Sequence, residues 1–316
     1  MSDRRKLAIL LLIGLSLVIL YVVVGLDVAI LSYALPRRIS KVLAILLTGA
    51  AIGFSTTVFQ TVTTNRILTP SIMGLDSLYL LNQTLVLFFF GSTSIFLVNS
   101  QLNFMLTVVT MVLFSGILFR FLLAGEKREI YLLLLVGVIA GTLFQSLSSF
   151  LQMVLDPNEF LVVQNSMYAS FNNVKSNLLP LSSALVVGFT LYAVRYVNVL
   201  DVLALGREQA VNLGVDYEKV VMRLLMVVAV LVASVTALVG PITFLGILVV
   251  NLAREMLRSF KHRYLLLASS LLGMIALVGG QFLVERVLHL ASPVSVMINF
   301  VGGLYFIFLL LRGNYA

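Results

Sequence analysis

Between short polar breaks the chain repeatedly runs through stretches of about 18 or more mostly apolar residues, the first being LAILLLIGLSLVILYVVVG after MSDRRK. A soluble core has no use for so many. The 316 residues are 60% hydrophobic with a mean hydropathy of +1.10, so the chain crosses a bilayer several times. Inside lipid every backbone N–H and C=O needs a partner within the protein, and these runs are too long and unbroken for the alternating strands of a barrel. The expected fold is therefore an all-α, polytopic helical bundle.

Spans are predicted at about 7–25, 39–62, 75–91, 102–123, 130–155, 178–200, 220–239, 243–257, 265–288 and 297–311. The stretch 243–257 is short enough to be broken or tilted. The basic start resembles a signal peptide, but no small-residue cleavage pattern follows its apolar run, which predicts a retained first helix. Charge then orients the bundle. With the N-terminus inside, outer segments keep only Arg37, Arg38, Lys41, Lys175 and Arg286 of the 21 Lys and Arg, so both termini are expected in the cytoplasm. The net charge of +8 is thus spent on topology rather than on nucleic acid. No fixed-period repeat or low-complexity linker divides the chain, and one membrane domain over 1–316 is expected.

One segment breaks the apolar pattern. LGREQAVNLGVDYEKV, Leu205 to Val220, crowds charge into a chain that is only 11% charged. Its grammar is a short helix, Gly214 as a left-handed C-cap, and Asp216 as the N-cap of the next helix. Polarity alone allows either a solvated connection or a compact knob that another protein grips.

A second polar pattern sits inside a span. GTLFQSLSSFLQ places Gly141, Gln145, Ser148, Ser149 and Gln152 on one face of the fifth predicted helix. That face serves either as interhelical glue, with Gly137 and Gly141 giving a close contact, or as the wall of a polar pathway. The following DPNEFLVVQNSMYASFNNVKSN is too polar to span and predicts a short helix at the outer surface or dipping into a cavity. GAAIG, Gly49 to Gly53, reads as helix packing.

Several chemistries are missing. Cysteine is absent, and His262 and His289 fall on opposite sides of the membrane, so no metal site is expected. No G-x-x-x-x-G-K-[ST] phosphate cradle occurs, which removes a self-contained ATPase. Asp76 stands at a helix start and Glu255 and Glu285 near helix ends, which weakens a proton-coupled carrier. What remains is a polar-lined bundle with no energy source of its own.

The motifs resemble those of a known family, the permease subunits of bacterial ABC importers for iron-siderophore complexes, which also contains haem and vitamin B12 permeases. ALPRRISKVLAILLTGAAIGFSTTVFQTVTTNRILTPSIMG is similar to the family's Leu-Pro-Arg entry to the second span and its Gln, Asn and Pro-x-x-x-Gly signature, here Gln60, Asn65, Pro70 and Gly74. ALGREQAVNLGVD and GPITFLGILVVNLAR resemble its coupling segment and its Gly-Pro-Ile-x-Phe-x-Gly element. Asn65 with Arg66, and Val250, Asn251 and Arg254, depart from the common Asn-Pro and Pro-His-x-x-Arg. The departures look more like the branch serving catecholate siderophores such as petrobactin, in which two different permeases are often paired.

The resemblance implies a permease of the bacterial cytoplasmic membrane that is not itself an enzyme and carries a ferric siderophore. Haem or cobalamin import is the nearest alternative, and an ATP-independent secondary transporter a more distant one. The chain would bind no cofactor, with ATP and Mg held by partner ATPase subunits and iron arriving inside its chelator. Further partners would be a substrate-binding lipoprotein or periplasmic protein and a second permease, identical or homologous. Arg207, Glu208, Gln209, Ala210, Leu213 and Gly214, within a segment of about 201–219, would engage the ATPase, with Ala210 and Leu213 packing into it. Arg37, Arg38 and Arg286 would meet glutamates of the binding protein. Gln145, Ser148, Ser149, Gln152, Asn165 and Asn299 are the candidates for lining the path.

Overall fold

The computed structural model describes residues 2–25, 31–123, 130–172, 174–290 and 292–311. Among them the chain folds into helices with no strand. The first half holds α1 (Asp3–Val23), α2 (Leu31–Val62), α3 (Leu75–Phe90), α4 (Ile95–Val98), α5 (Ser100–Leu123), α6 (Ile130–Val154) and α7 (Pro157–Ser166). The second holds α8 (Leu179–Val194), α9 (Val197–Leu203), α10 (Arg207–Asn212), α11 (Tyr217–Val239), α12 (Leu245–Met256), α13 (His262–Phe282) and α14 (Val294–Leu311). Seven helices among the described residues are long and apolar enough to cross a membrane, and Leu75–Phe90 and Val294–Phe308 are shorter apolar ones. Of the cations used to orient the bundle, Lys127, Arg128 and Arg312 lie outside the described residues.

Every predicted span meets a helix, with differences at the ends. α2 starts well before the expected 39 and continues through Pro36, whose missing N–H removes a single backbone bond near the helix start. The expected span 178–200 is cut at Val194, because Arg195 and Tyr196 bond back to Tyr192 and Ala193 in tight three-residue steps before α9 begins. α12 has only 12 residues, about 18 Å at 1.5 Å per residue, too short for a hydrocarbon layer of about 30 Å. α13 runs on into a π-helical turn, Leu283–Val287.

Packing sorts the spans into centre and rim. In the apolar windows 78% of α2 and 72% of α11 are buried, against 11% of α1 and 22% of α6. The central pair α2 and α13 cross where small residues let backbones touch. A Cβ on Gly49 would stand 2.6 Å from the Gly273 backbone, and one on Gly53 would stand 2.3 Å from the Ser269 carbonyl oxygen, so GAAIG is a packing element as predicted. The 3₁₀ turn Pro70–Met73 ends on Gly74 at φ 79°, and the Cα of Gly141 comes within 2.7 Å of where a Gly74 Cβ would be. Gly137 and Gly141 therefore do make the expected close contact, with this turn.

The two ends of the bundle differ in chemistry. At the N-terminal end Lys6 Nζ donates to the Met256 carbonyl, and the Arg258 N–H donates to Asp3 at 3.2 Å. At the opposite end Tyr21 Oη donates to Glu285 at 2.6 Å, and Lys41 pairs with the same carboxylate.

Candidate functional site

The polar hairpin between α8 and α11 is two short helices, α9 and α10, at the N-terminal end of the bundle. α10 closes with two reversed bonds, Val215 N–H to the Ala210 carbonyl at 3.0 Å and Gly214 N–H to the Val211 carbonyl at 2.9 Å. This pattern needs a left-handed residue, and Gly214 has φ 84° with nothing within 4 Å of its missing Cβ. Asp216 then caps α11, accepting from the Lys219 N–H at 3.4 Å and from its ammonium at 2.7 Å. The Lys219 side chain holds the Asp216 carboxyl below the usual carboxylate range. The Arg207 guanidinium lies 5.9 Å from the centre of the Tyr217 ring and ties the start of α10 to α11.

The hairpin's apolar residues divide by face. Leu213, Leu205 and Val211 are exposed, whereas Ala210 is fully buried in this chain's own core. Ala210 is therefore unavailable to a partner, contrary to expectation, because the short helix must bury one small side chain to sit on α9 and α11. Leu205, Val211 and Leu213 make the free apolar surface, the last two on α10 and its cap.

Behind the hairpin the fold assembles a contact that sequence reasoning missed. The Asp201 carboxylate on α9 accepts the backbone N–H of His262 and contacts its ring Nδ1, both at 2.7 Å, while His262 Nε2 meets Thr61 Oγ1 at 2.8 Å. The Thr61 hydroxyl donates to the Thr57 carbonyl at 2.9 Å, so its oxygen is not armed as a nucleophile. The three residues instead pin α9 to the N-terminus of α13 and the last turn of α2. No sequence signal was available, since the residues lie far apart along the chain.

At the opposite end the expected docking arginines are partly committed elsewhere. Arg38 donates to the carbonyls of Val22 and Val24 at 2.8 Å and Gly25 at 2.5 Å, finishing the C-terminal end of α1. The Arg286 guanidinium packs on Gly25, 2.9 Å from where a Cβ would stand. Arg37 is exposed.

The candidate path residues separate as well. Ser148 is buried and meets Thr84 Oγ1 at 2.9 Å, and Gln152 donates to both at 2.8 and 3.2 Å, so these two serve as glue between α6 and α3. Gln145 and Thr142 are exposed, with Ser149 half-buried, and they form a polar stripe on a helix that also exposes Ser146 and the apolar Ile139, Leu143, Leu147 and Phe150. Asn299 accepts from the Phe244 N–H at 3.4 Å, tying α14 to the start of α12. Asn165 borders a cavity of about 450 Å³ beneath α7, alongside Tyr79, Gln83, Asn103 and Lys175.

The architecture has relatives. A solved chain from a metal-chelate type ABC transporter, in an inward-facing conformation, superposes with a TM-score of 0.86 over 98% of this chain and 100% of that one, at 21% identity, and so shares the fold. The petrobactin import system permease protein YclO of Bacillus subtilis is 55% identical over 311 residues, 98% of this chain and 99% of the relative. FatC of Bacillus anthracis, also a petrobactin import system permease protein, is 35% identical over 87% of this chain and 78% of its own length. The vitamin B12 import system permease protein BtuC of Vibrio cholerae is 30% identical over 88% and 82%. Residues 7–312 match the model of the FecCD transport family, and the chain belongs to that family.

Proposed function

We propose that this chain is the permease subunit of an ATP-driven importer that carries a ferric siderophore of catecholate type, petrobactin or a close analogue, across the bacterial cytoplasmic membrane. The observation that carries this is the near full-length likeness, 55% identical, to a petrobactin import permease. The N-terminal end of the bundle, with the α9–α10 hairpin, faces the cytoplasm.

In this scheme separate ATPase subunits grip the exposed Val211 and Leu213 of the hairpin, and Arg207, Glu208 and Gln209 fix the register. Movement of α9 passes through Asp201 and His262 to α13 and α2, whose interlocked glycines make them move together. A second permease covers the polar stripe of α6, so that Thr142, Gln145 and Ser149 line a weakly binding wall. A large polar chelate passes such a wall without being held. At the outer face Arg37 meets a carboxylate of a substrate-binding protein.

Growth of a deletion strain on ferric petrobactin as sole iron source, restored by this gene, tests the assignment. Restoration on haem alone, or uptake by the chain in proteoliposomes without an ATPase, would sink it.

A further inference from the structure

A cavity of about 700 Å³ opens at the N-terminal end between the last turn of α2, α9 and the 257–262 segment. Its lining carries four cations, Arg66, Arg254, Arg258 and Lys261. The one carboxylate in the lining, Asp201, is already engaged by His262. The wall also holds Gln60, which is 1% exposed, and neither its Nε2 nor its Oε1 has a hydrogen-bond partner among the described residues. An amide left unpaired in such a place costs free energy unless something enters to meet it.

The surroundings say from which side an occupant comes. Phe260 is 94% exposed between Arg258 and Lys261, an aromatic side chain flanked by cations, as at a membrane–water interface. The same segment is fastened to α1 by the Arg258–Asp3 bond, and the end of α12 before it by the Lys6–Met256 bond; α1 has the least buried apolar window of the described spans, with Arg4 and Arg5 at its start. The cavity wall is thus tied to the basic start of α1, which points to the membrane–water interface as the side of entry.

We propose that this cavity binds the phosphate of an anionic phospholipid headgroup, with Arg66, Arg258 and Lys261 around the phosphate and the Gln60 amide on a headgroup hydroxyl or ester oxygen. Guanidinium forks suit phosphate oxygens, and basic residues beside the bilayer attract anionic lipid. That the lipid belongs to the inner leaflet rests on the orientation given under the proposed function; the binding itself does not. A bound headgroup would brace α9 against α13 from the lipid side, beside the Asp201–His262 contact.

Native mass spectrometry of the intact importer, extracted from nanodiscs of phosphatidylcholine with or without phosphatidylglycerol, reads the outcome directly. Wild type should retain phosphatidylglycerol in preference to phosphatidylcholine. Retention should fall about tenfold in Arg258→Gln/Lys261→Gln and recover in Arg258→Lys/Lys261→Arg. Gln60→Leu should unfold no lower than wild type in neutral lipid yet hold less phosphatidylglycerol. Equal retention by wild type and the double Gln variant would overturn the proposal. So would inorganic phosphate raising the unfolding temperature in lipid-free detergent as much as phosphatidylglycerol does, since the ligand would then be a soluble phosphate. Because none of these readouts uses the siderophore, loss of the transport assignment would leave them standing.

Discussion

Asp201 Oδ1 sits 2.7 Å from both the backbone nitrogen and the ring Nδ1 of His262, so one carboxylate of the hairpin caps a span and holds its first side chain. The hairpin is thereby fastened to the centre of the bundle rather than hung from two loops. Asp201→Ala should lower the unfolding temperature by the equivalent of about 2 kcal/mol, the usual loss for a hydrogen bond to a charged group. In a reconstituted importer it should also lower substrate moved per ATP hydrolysed. Unchanged coupling alongside reduced stability would confine the contact to folding.

The two faces of α10 predict opposite phenotypes. Leu213 is 63% exposed, so Leu213→Arg should leave the permease folded while abolishing co-purification of the ATPase. Ala210 has no exposed surface, so Ala210→Leu should overpack the chain itself and cost about 1–3 kcal/mol before any partner is involved. Thermal unfolding of the isolated permease beside pull-down of the ATPase separates the two.

The Asp216 cap gives the hairpin a pH dependence of known sign. The Lys219 side chain depresses the carboxyl, so its contribution is complete above the ordinary aspartate range of about 4 and is lost as pH falls below that range. Protection of residues 214–220 against hydrogen exchange, taken relative to the intrinsic rate at each pH, should fall on acidification through that window. Asp216→Asn keeps a capping side chain and should remove the pH dependence.

These relationships show how far the linear pattern reaches. The C-cap at Gly214 and the N-cap at Asp216 were legible because both follow from a few adjacent residues. The Gly137 and Gly141 contact was legible because spacing along a helix fixes a face. Asp201, His262 and Thr61 were not, since their meeting depends on how three separate helices end at one level. Ala210 and Leu213 share a motif but face opposite ways, and only the packing of α10 on α9 and α11 decides which is hidden. Arg38 read as an outward cation, while the structure turns it on the open carbonyls of α1, which exist only where that helix stops.

Arg37 and Arg38 are neighbours with different work to do. Arg38→Gln withdraws donors from three carbonyls at the end of α1 and should lower stability by roughly 1–3 kcal/mol. Arg37→Glu reverses an exposed charge and should slow association of the substrate-binding protein, more so at low salt. Surface plasmon resonance at two ionic strengths reads the second effect, and association unchanged by Arg37→Glu at both would remove Arg37 from docking.

The polar face of α6 offers the sharpest division between fold and path. Ser148→Ala breaks the Thr84, Ser148 and Gln152 cluster and should destabilise the permease by roughly 1 kcal/mol, since the buried hydroxyl is met at 2.8 and 2.9 Å. Gln145→Leu replaces an exposed amide that no such cluster holds, so stability should stay level or rise in detergent. If the stripe lines the path, uptake of the ferric chelate should fall in Gln145→Leu, because a leucine offers the passing ligand no hydrogen bond and narrows the wetted wall. If the stripe instead joins two permeases, the same variant should weaken dimerisation measured by cross-linking between copies, and uptake would fall only in proportion to the dimer lost.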